Sequence, residues 1–336
     1  MDSLEPVLTI GITTYERPHS LLRALDSVVS QRDVTEGEIE IIVVDDASMS
    51  DTFATVWRDL QVSVSRQRFP LKLLRHAVGS GGASQGRNDI IDAARGRFVL
   101  FLDDDNLLAP GSLRGLVSYL SDASMDWVSI RRHRAGRSFF LAPEVRHEHI
   151  SRSQALWTFL ACGAFKLDTL RQKNIRFDTA VNRGEDAEFV LSVVVNAEGL
   201  SALSDMDYFI EENPTSEEAP HISQTLHGLA FLTVLLDHYR RLVLIVQRSE
   251  LSAEEKKQIN LQVLNRAVFS YRLIDRILAA GDDGEVAIFL ERWASDIELG
   301  LSLADVTGSP RLAKDPEALS AIFARDTHGL QSAPRM

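Results

Sequence analysis

Gly96-Arg97-Phe98-Val99-Leu100-Phe101-Leu102-Asp103-Asp104-Asp105-Asn106 is the stretch on which the fold of this chain turns. Five consecutive apolar residues, Phe98 to Leu102, bounded by Gly96 and Asp103, predict a buried strand of a sheet covered on both faces. Three carboxylates arrive together where that strand must end. Neighbouring ionised carboxylates repel, and desolvation raises the cost, so the turn calls for a positive partner. Asp oxygens suit hard cations such as Mg2+ or Mn2+, and ligands of open α/β sheets collect at the carboxyl ends of strands. Asp103-Asp104-Asp105 therefore reads as the metal and phosphate end of a nucleotide site, with an acidic solvated loop as the alternative.

The chain before this stretch alternates strand and helix. Val7 to Thr13 is β-rich and runs into the polar loop Thr14-Tyr15-Glu16-Arg17-Pro18. Leu21, Leu22, Leu25, Val28 and Val29 are spaced helically over residues 18 to 31. Ile39 to Val44 predicts a second strand that stops at Asp45-Asp46-Ala47-Ser48. A helix from Asp51 to Asp59 and a short strand from Leu71 to Leu74 follow. Gly79-Ser80-Gly81-Gly82-Ala83 is a loop that lets backbone approach a ligand, leading into a helix over 84 to 94. It lacks the lysine of a P-loop and the GxGxxG spacing of a dinucleotide fold. The alternation predicts a parallel, doubly wound sheet.

Beyond the acidic turn, Ala109-Pro110-Gly111-Ser112-Leu113 leads into a helix that ends near Leu120. Short strands are expected between 126 and 180, one of them Trp127 to Arg131. Ala161-Cys162-Gly163-Ala164-Phe165 forms a small-residue strand or turn, and Leu167 to Lys173 a short helix. Gly184-Glu185-Asp186 opens a helix reaching Ala197. Acidic residues at that position are either dipole capping or functional groups. Ala202 to Ser204 and Tyr208 to Ile210 are short strands, and Glu211 to Pro220 is a polar acidic loop. From Gln224 the pattern becomes helical over 224 to 248, 253 to 279 and 283 to 299, followed by a loosely held tail from 303. The expected domains are thus 1–222, 223–302 and 303–336.

A length of 336 residues, with 45% hydrophobic and 25% charged, is that of an ordinary globular chain with room for two domains. The formal net charge of −12 argues against nucleic-acid binding but allows a local basic pocket. One cysteine, Cys162, excludes a disulfide framework and any multi-cysteine metal site, and a cytoplasmic setting fits best. No signal peptide is expected. The most apolar segment, Leu226 to Val246, is interrupted by Asp237-His238-Tyr239-Arg240-Arg241 and is expected to be a buried or amphipathic helix, with no transmembrane span.

Three blocks now carry a resemblance. Leu8 to Pro18, Ile41-Ile42-Val43-Val44-Asp45-Asp46-Ala47-Ser48 and Gly96 to Asp105 resemble, in order and spacing, the inverting nucleotide-sugar glycosyltransferases of the GT-A fold, family 2. Gly79 to Gly82 followed by Arg87-Asn88, with Gly184-Glu185-Asp186 and His221-Ile222-Ser223, is most similar to the enzymes that place β-linked N-acetylglucosamine on the poly(ribitol phosphate) of wall teichoic acid. The resemblance implies an α/β, Rossmann-like fold with a mixed, mostly parallel sheet flanked by helices and, here, a C-terminal helical extension. Asp104 departs from the family pattern by adding a charge between the two outer aspartates, and Asn106 replaces a frequent acidic residue.

The resemblance also implies roles. Thr13, Thr14, Tyr15 and Asp45 would hold the uracil and ribose of a UDP-sugar, with UDP-N-acetylglucosamine the implied donor. Gly81 and Arg87 would reach the base or the phosphates, and Asp103 and Asp104 would lie by the ribose. Asp105 would ligate Mn2+ or Mg2+, with His221 a second metal or phosphate contact and Ser223 beside it. Asp186 would be the base that takes the acceptor proton, and Glu185 would bind sugar or acceptor, the order of the two remaining open. The acceptor would be a polyol-phosphate polymer of the cell envelope or a small natural product such as a nucleoside antibiotic intermediate. Peripheral contact at the inner face of the membrane and a homo-oligomer through the helical extension are further expectations. Arg131, Arg132, His133, Arg134, Arg137, Arg146, His147 and His149 either receive an anionic acceptor or form a solvated face. A sugar-1-phosphate nucleotidyltransferase and a non-catalytic carbohydrate- or nucleotide-binding protein are the competing readings. The first expects a glycine- and arginine-rich loop directly after the first strand, where Thr13-Thr14-Tyr15 stands instead.

Overall fold

The computed structural model describes residues 5–66, 68–134, 137–139, 149–156, 161–181, 184–203, 208–211 and 228–266. The chain divides into two compact units, Met1–Gln224 and Thr225–Met336.

The first unit is built on β1 (Leu8–Thr14), flanked by β2 (Ile39–Asp45) and β4 (Phe98–Asp103), with β3 (Leu71–Arg75) beyond β2. All four run parallel, joined by α1 (Pro18–Val29), α2 (Asp51–Ser63) and α3 (Ala83–Ala93). Side chains on β1 alternate between faces. Leu8, Ile10 and Ile12 enter one core with Leu21, Leu25 and Val28 of α1, Phe53 and Trp57 of α2, and Leu100 and Leu102 of β4. Gly11 and Thr13 face α3, where a Cβ on Gly11 would lie 2.5 Å from Ile90 Cγ2 and one on Gly86 would lie 2.9 Å from Thr13 Cγ2. Two glycines thus let α3 lie directly on the sheet.

The sheet continues from β4 through β9 (Gly163–Lys166) and β6 (Trp127–Ile130) to β10 (Leu200–Leu203), seven strands in the order β10-β6-β9-β4-β1-β2-β3. Here the parallel run is broken, because β9 runs antiparallel to both β4 and β6. The small residues of 161 to 164 explain its place. At Gly163, with φ of 153°, a Cβ would meet the Val128 carbonyl at 2.4 Å. The mixed, mostly parallel sheet flanked by helices is the architecture that the family resemblance implies.

A second sheet was not foreseen. It has four short strands in the order β5 (Asn106–Leu108), β11 (Phe209–Glu211), β7 (Arg132–Arg134) and β8 (Arg137–Phe139). Because β5 starts at Asn106 and β4 ends at Asp103, Asp104 and Asp105 form a two-residue corner between the sheets. Helices α4 (Ser112–Asp122), α5 (Arg152–Ala155), α6 (Leu167–Gln172) and α7 (Glu185–Asn196) complete the unit, and α7 is buried along most of its length.

The second unit is helical where it is described, with α8 (Gly228–Arg248) and α9 (Ala253–Asn265). Ser252 accepts from the Glu255 N–H and Glu255 reaches back to the Ser252 N–H, a capping box that starts α9. Among the described residues no helix is long and apolar enough to cross a membrane. The expected helix over 283–299, the end of that over 253–279 and the tail from 303 lie outside the described residues.

Candidate active site

The carboxyl ends of β1, β2 and β4 bring the first candidates together through sheet register alone. Thr13 pairs with Asp103, and Thr14 pairs with Asp45. The chain must leave β1 on the side of β2 and return beyond it for β4, and a crevice opens where such strand order reverses.

Asp45 is fully buried and its Oδ1 accepts from the Ser48 hydroxyl at 2.6 Å and the Ser48 N–H at 3.1 Å. Its Oδ2 lies 3.0 Å from Arg75 Nε, close enough for an ion pair but outside hydrogen-bond geometry. Burial pushes its pKa above the ordinary value, against the pull of Ser48 and Arg75. Glu16, with a φ of 55°, donates its N–H to Ser48 Oγ at 2.8 Å, and its carboxylate accepts from the N–H groups of Met49 and Ser50 at the start of α2. The loops after β1 and β2 are therefore locked to each other. Tyr15 stands at their rim, 50% exposed.

The acidic turn is answered by arginine. Asp104 is turned inward, accepting from the Thr14 hydroxyl at 2.8 Å and from Arg17 Nη1 at 3.1 Å. Burial pushes its pKa up to about 7, with the Asp105 charge adding to burial and Arg17 and Thr14 opposing it. The same Arg17 nitrogen lies 3.2 Å from Asp105 Oδ2. Asp103 is the most exposed of the three, with a side chain 41% accessible, and pairs with Arg87 Nη2 at 2.7 Å.

Arg87 links this turn to the second pair of carboxylates. Its Nη1 donates to Asp186 Oδ1 at 2.6 Å and lies 3.5 Å from Glu185 Oε1, while its side chain is nearly buried. Gly184, with φ of 85°, turns the chain so that both acids stand at the first positions of α7. Burial and the neighbouring Asp186 charge push Glu185 up to about 7, with Arg87 pulling the other way. Beneath the guanidinium, Arg87 Cζ is 5.1 Å from the Phe177 ring centroid, and Phe177 stacks on Phe189 at 3.9 Å. The next residue on α3, Asn88, donates to the Phe177 carbonyl at 2.8 Å and accepts from its N–H at 2.9 Å. One helix thus supplies the guanidinium and holds the ring under it.

The glycine loop lies at the end of β2. Gly81, with φ of 83°, donates its N–H to Asp46 Oδ2 at 3.3 Å, and Ser80 donates to Asp46 Oδ1 at 2.8 Å. His221 and Ser223 lie outside the described residues.

Two features were missed from the sequence. Arg17 sits in a motif that was legible, but its partners are 87 and 88 positions away and no local pattern marks them. Asp46, His76 and Asp89 form a hydrogen-bonded chain whose members are spread over three elements, with an acidic pair at 45 and 46 as its faintest signal.

The donor set fits a Mg2+ or Mn2+ ion that brings other ligands with it. Among the described residues no group of three or more His, Cys, Asp or Glu is assembled to hold an ion alone. Such ions are commonly bound by one or two carboxylates with phosphate and water completing the shell. Asp103 and Asp105 are hard oxygen donors on one turn. Among the described residues, Asp103, Asp104, Asp105, Glu185 and Asp186 gather here around the guanidinium groups of Arg17 and Arg87.

Comparison with known proteins agrees with this geometry. The curated relatives include the poly(ribitol-phosphate) beta-N-acetylglucosaminyltransferase TarS of Staphylococcus aureus, 26% identical over 266 residues, covering 77% of this chain and 44% of TarS. The poly(ribitol-phosphate) beta-glucosyltransferase of Bacillus spizizenii is 26% identical over 209 residues, covering 60% of this chain and 32% of that protein. The chain thus spans less than half the length of either relative. Among solved structures, S. aureus TarS 1–349 in complex with UDP superposes with a TM-score of 0.74 at 19% identity, covering 96% of this chain and 92% of that one. The same fragment with UDP-GlcNAc superposes at 0.73, with 21% identity over 94% of this chain and 83% of that one. These likenesses establish a common fold. The model of glycosyl transferase family 2 matches residues 9–190, the span that holds β1, the acidic turn and the start of α7, and the chain belongs to that family.

Proposed function

We propose that the protein is an inverting, metal-dependent transferase that moves N-acetylglucosamine from UDP-N-acetylglucosamine to a hydroxyl of a polyol-phosphate polymer. The observation that carries this reading is Arg87, whose guanidinium ties Asp103 of the acidic turn to Asp186 at the head of α7 with contacts of 2.7 and 2.6 Å. A group that must bind diphosphate and a group that must accept a proton are thereby held on either side of one crevice. The sugar and the polymer are assigned from TarS, whose name gives both, and the Bacillus relative, whose name gives the same polymer with glucose.

The work of the residues follows from their chemistry. Thr13, Thr14, Tyr15, Asp45 and Gly81 stand at the end of the sheet where the nucleoside would lie, with Asp45 fixed from below by Ser48 and Arg75. A Mg2+ or Mn2+ ion held by Asp105, with His221 as the second protein ligand, would offset the charge that develops on the departing diphosphate. Asp186 takes the proton from the attacking hydroxyl on the face opposite the leaving group, so that the anomeric centre inverts in a single displacement. Glu185, its pKa pushed up to about 7, donates or accepts a hydrogen bond to sugar or acceptor as its protonation dictates. Arg87 holds Asp186 in place through its 2.6 Å contact. The protein acts in the cytoplasm, where nucleotide sugars are available.

Incubation with UDP-N-acetylglucosamine, Mn2+ and poly(ribitol phosphate) tests the proposal through UDP release. Release that depends on both polymer and metal and is lost in Asp105→Ala is the expected result. Absence of release with any UDP-sugar across polymeric and small acceptors would overturn it.

A further inference from the structure

Directly after β3, His76 lies between two carboxylates. Its Nδ1 is 2.7 Å from Asp46 Oδ1 at the end of β2, and its Nε2 is 2.6 Å from Asp89 Oδ2 on α3. An ionised carboxylate only accepts, so both ring nitrogens carry protons and the ring is an imidazolium. The His76 N–H also donates to the Asp45 carbonyl at 2.9 Å, which fixes the ring's origin beside the two acids. Asp46 continues the chain, its two oxygens taking the N–H groups of Ser80 at 2.8 Å and Gly81 at 3.3 Å. Asp89 is steadied on its far oxygen by Gln85 Nε2 at 2.8 Å. The other charged neighbour, Arg75 on β3, turns to Asp45 instead. The side chains of His76 and Asp46 are each only 15% exposed, while Asp89 is 30% exposed and the Ser80 and Gly81 bonds lie at the surface.

We propose that His76, as an imidazolium, is a positioning residue that straps the glycine loop 79–82 to the end of β2 through Asp46 and thereby sets the affinity for the donor nucleotide. The affinity clause rests on the donor site proposed above. Burial alone would lower the pKa of His76, but the hydrogen bonds and charges of Asp46 and Asp89 overcome it and hold the pKa above the ordinary 6.5. Loss of the proton at higher pH sets a ring lone pair against a carboxylate oxygen, and the strap opens. The effect falls on KM for the donor and on UDP affinity, with kcat spared, because none of the three residues reaches the acidic turn or α7.

Three measurements separate the strap from the donor reading. Hydrogen exchange of the Ser80 and Gly81 amides in the ligand-free protein is followed from pH 6 to 9, beside an NMR titration of the His76 ring. UDP binding is measured by calorimetry over the same range. In the wild type, protection falls by about tenfold as His76 titrates above its ordinary value, and UDP affinity falls with it. His76→Gln has low protection and a flat pH profile. Asp89→Asn, whose amide donates to a neutral ring, keeps the loop protected to higher pH. A wild-type profile retained in His76→Gln, or a His76 ring that titrates at or below 6.5, would overturn the proposal. Protection that follows His76 while UDP fails to bind the wild type at any pH would establish the strap and remove the donor reading.

Discussion

Arg17 Nη1 lies 3.2 Å from Asp105 Oδ2, so a guanidinium already stands against the carboxylate proposed to hold the metal. A cation arriving at Asp105 shares that carboxylate with Arg17 or displaces it. Arg17→Gln leaves Asp104 and Asp105 without this counter-charge in a nearly buried corner and is expected to lower stability by about 2–4 kcal/mol. Mn2+ should then raise the melting temperature of Arg17→Gln more than that of the wild type, which thermal scans with and without the metal will read.

Asp105→Ala and Asp103→Asn should part company. Asp105→Ala removes the assigned metal ligand, and Mn2+-dependent UDP release is expected to fall by about 100-fold or more. Asp103→Asn keeps a carbonyl toward Arg87 and should lose less. Calorimetric titration of UDP with and without Mn2+ distinguishes lost metal binding from lost turnover.

The two acids at the head of α7 are separable by kcat. Asp186→Asn is expected to reduce kcat by about 10²–10⁴-fold while UDP affinity holds, as for removal of a general base. Glu185→Gln should lower kcat less and change KM for donor or acceptor instead. The reverse pattern in steady-state kinetics would exchange their roles.

Stability of the metal-free protein should decline with rising pH. Asp104 and Glu185 each have a folded pKa pushed up to about 7, by burial first and then by a neighbouring carboxylate. Their ordinary values are 3.8 and 4.5, so between there and about 7 the native state holds protons that the unfolded chain has released. The stabilising contribution is complete below the unfolded values and is lost as pH rises through 7. Denaturant midpoints at pH 5, 6, 7 and 8 should show the decline, and Asp104→Asn should flatten it.

The close approach of α3 to the sheet is testable away from the site. Gly11→Ala places a methyl 2.5 Å from Ile90 Cγ2 and should cost about 1–3 kcal/mol by overpacking. In combination with Ile90→Ala the loss should be smaller than the sum of the two, measured by chemical denaturation.

What could be read from the chain alone was what local pattern encodes. Phe98 to Leu102, Ile39 to Val44 and Val7 to Thr13 are β-rich runs followed by polar residues, and each holds a strand that delivers its end to the crevice. The acidic start of α7 was legible for the same reason. The direction of β9 was not, because a four-residue strand carries no local mark of its orientation and only the path of the chain decides it. Strand β5 is three residues long, below what alternation can mark. The ion pairs that organise the site were equally hidden. Arg87 meets Asp103 across 16 positions and Asp186 across 99, a pairing that only the packing of α3 on β1 creates.

Arg87 and Asn88 are adjacent on α3, one turned to the acids and the other bonded to the backbone of Phe177. A slide of that helix by even one position would carry the guanidinium and its aromatic support away together. The spacing between the acidic turn and the head of α7 is therefore set as a block, fixed by a helix register and not by any one side chain.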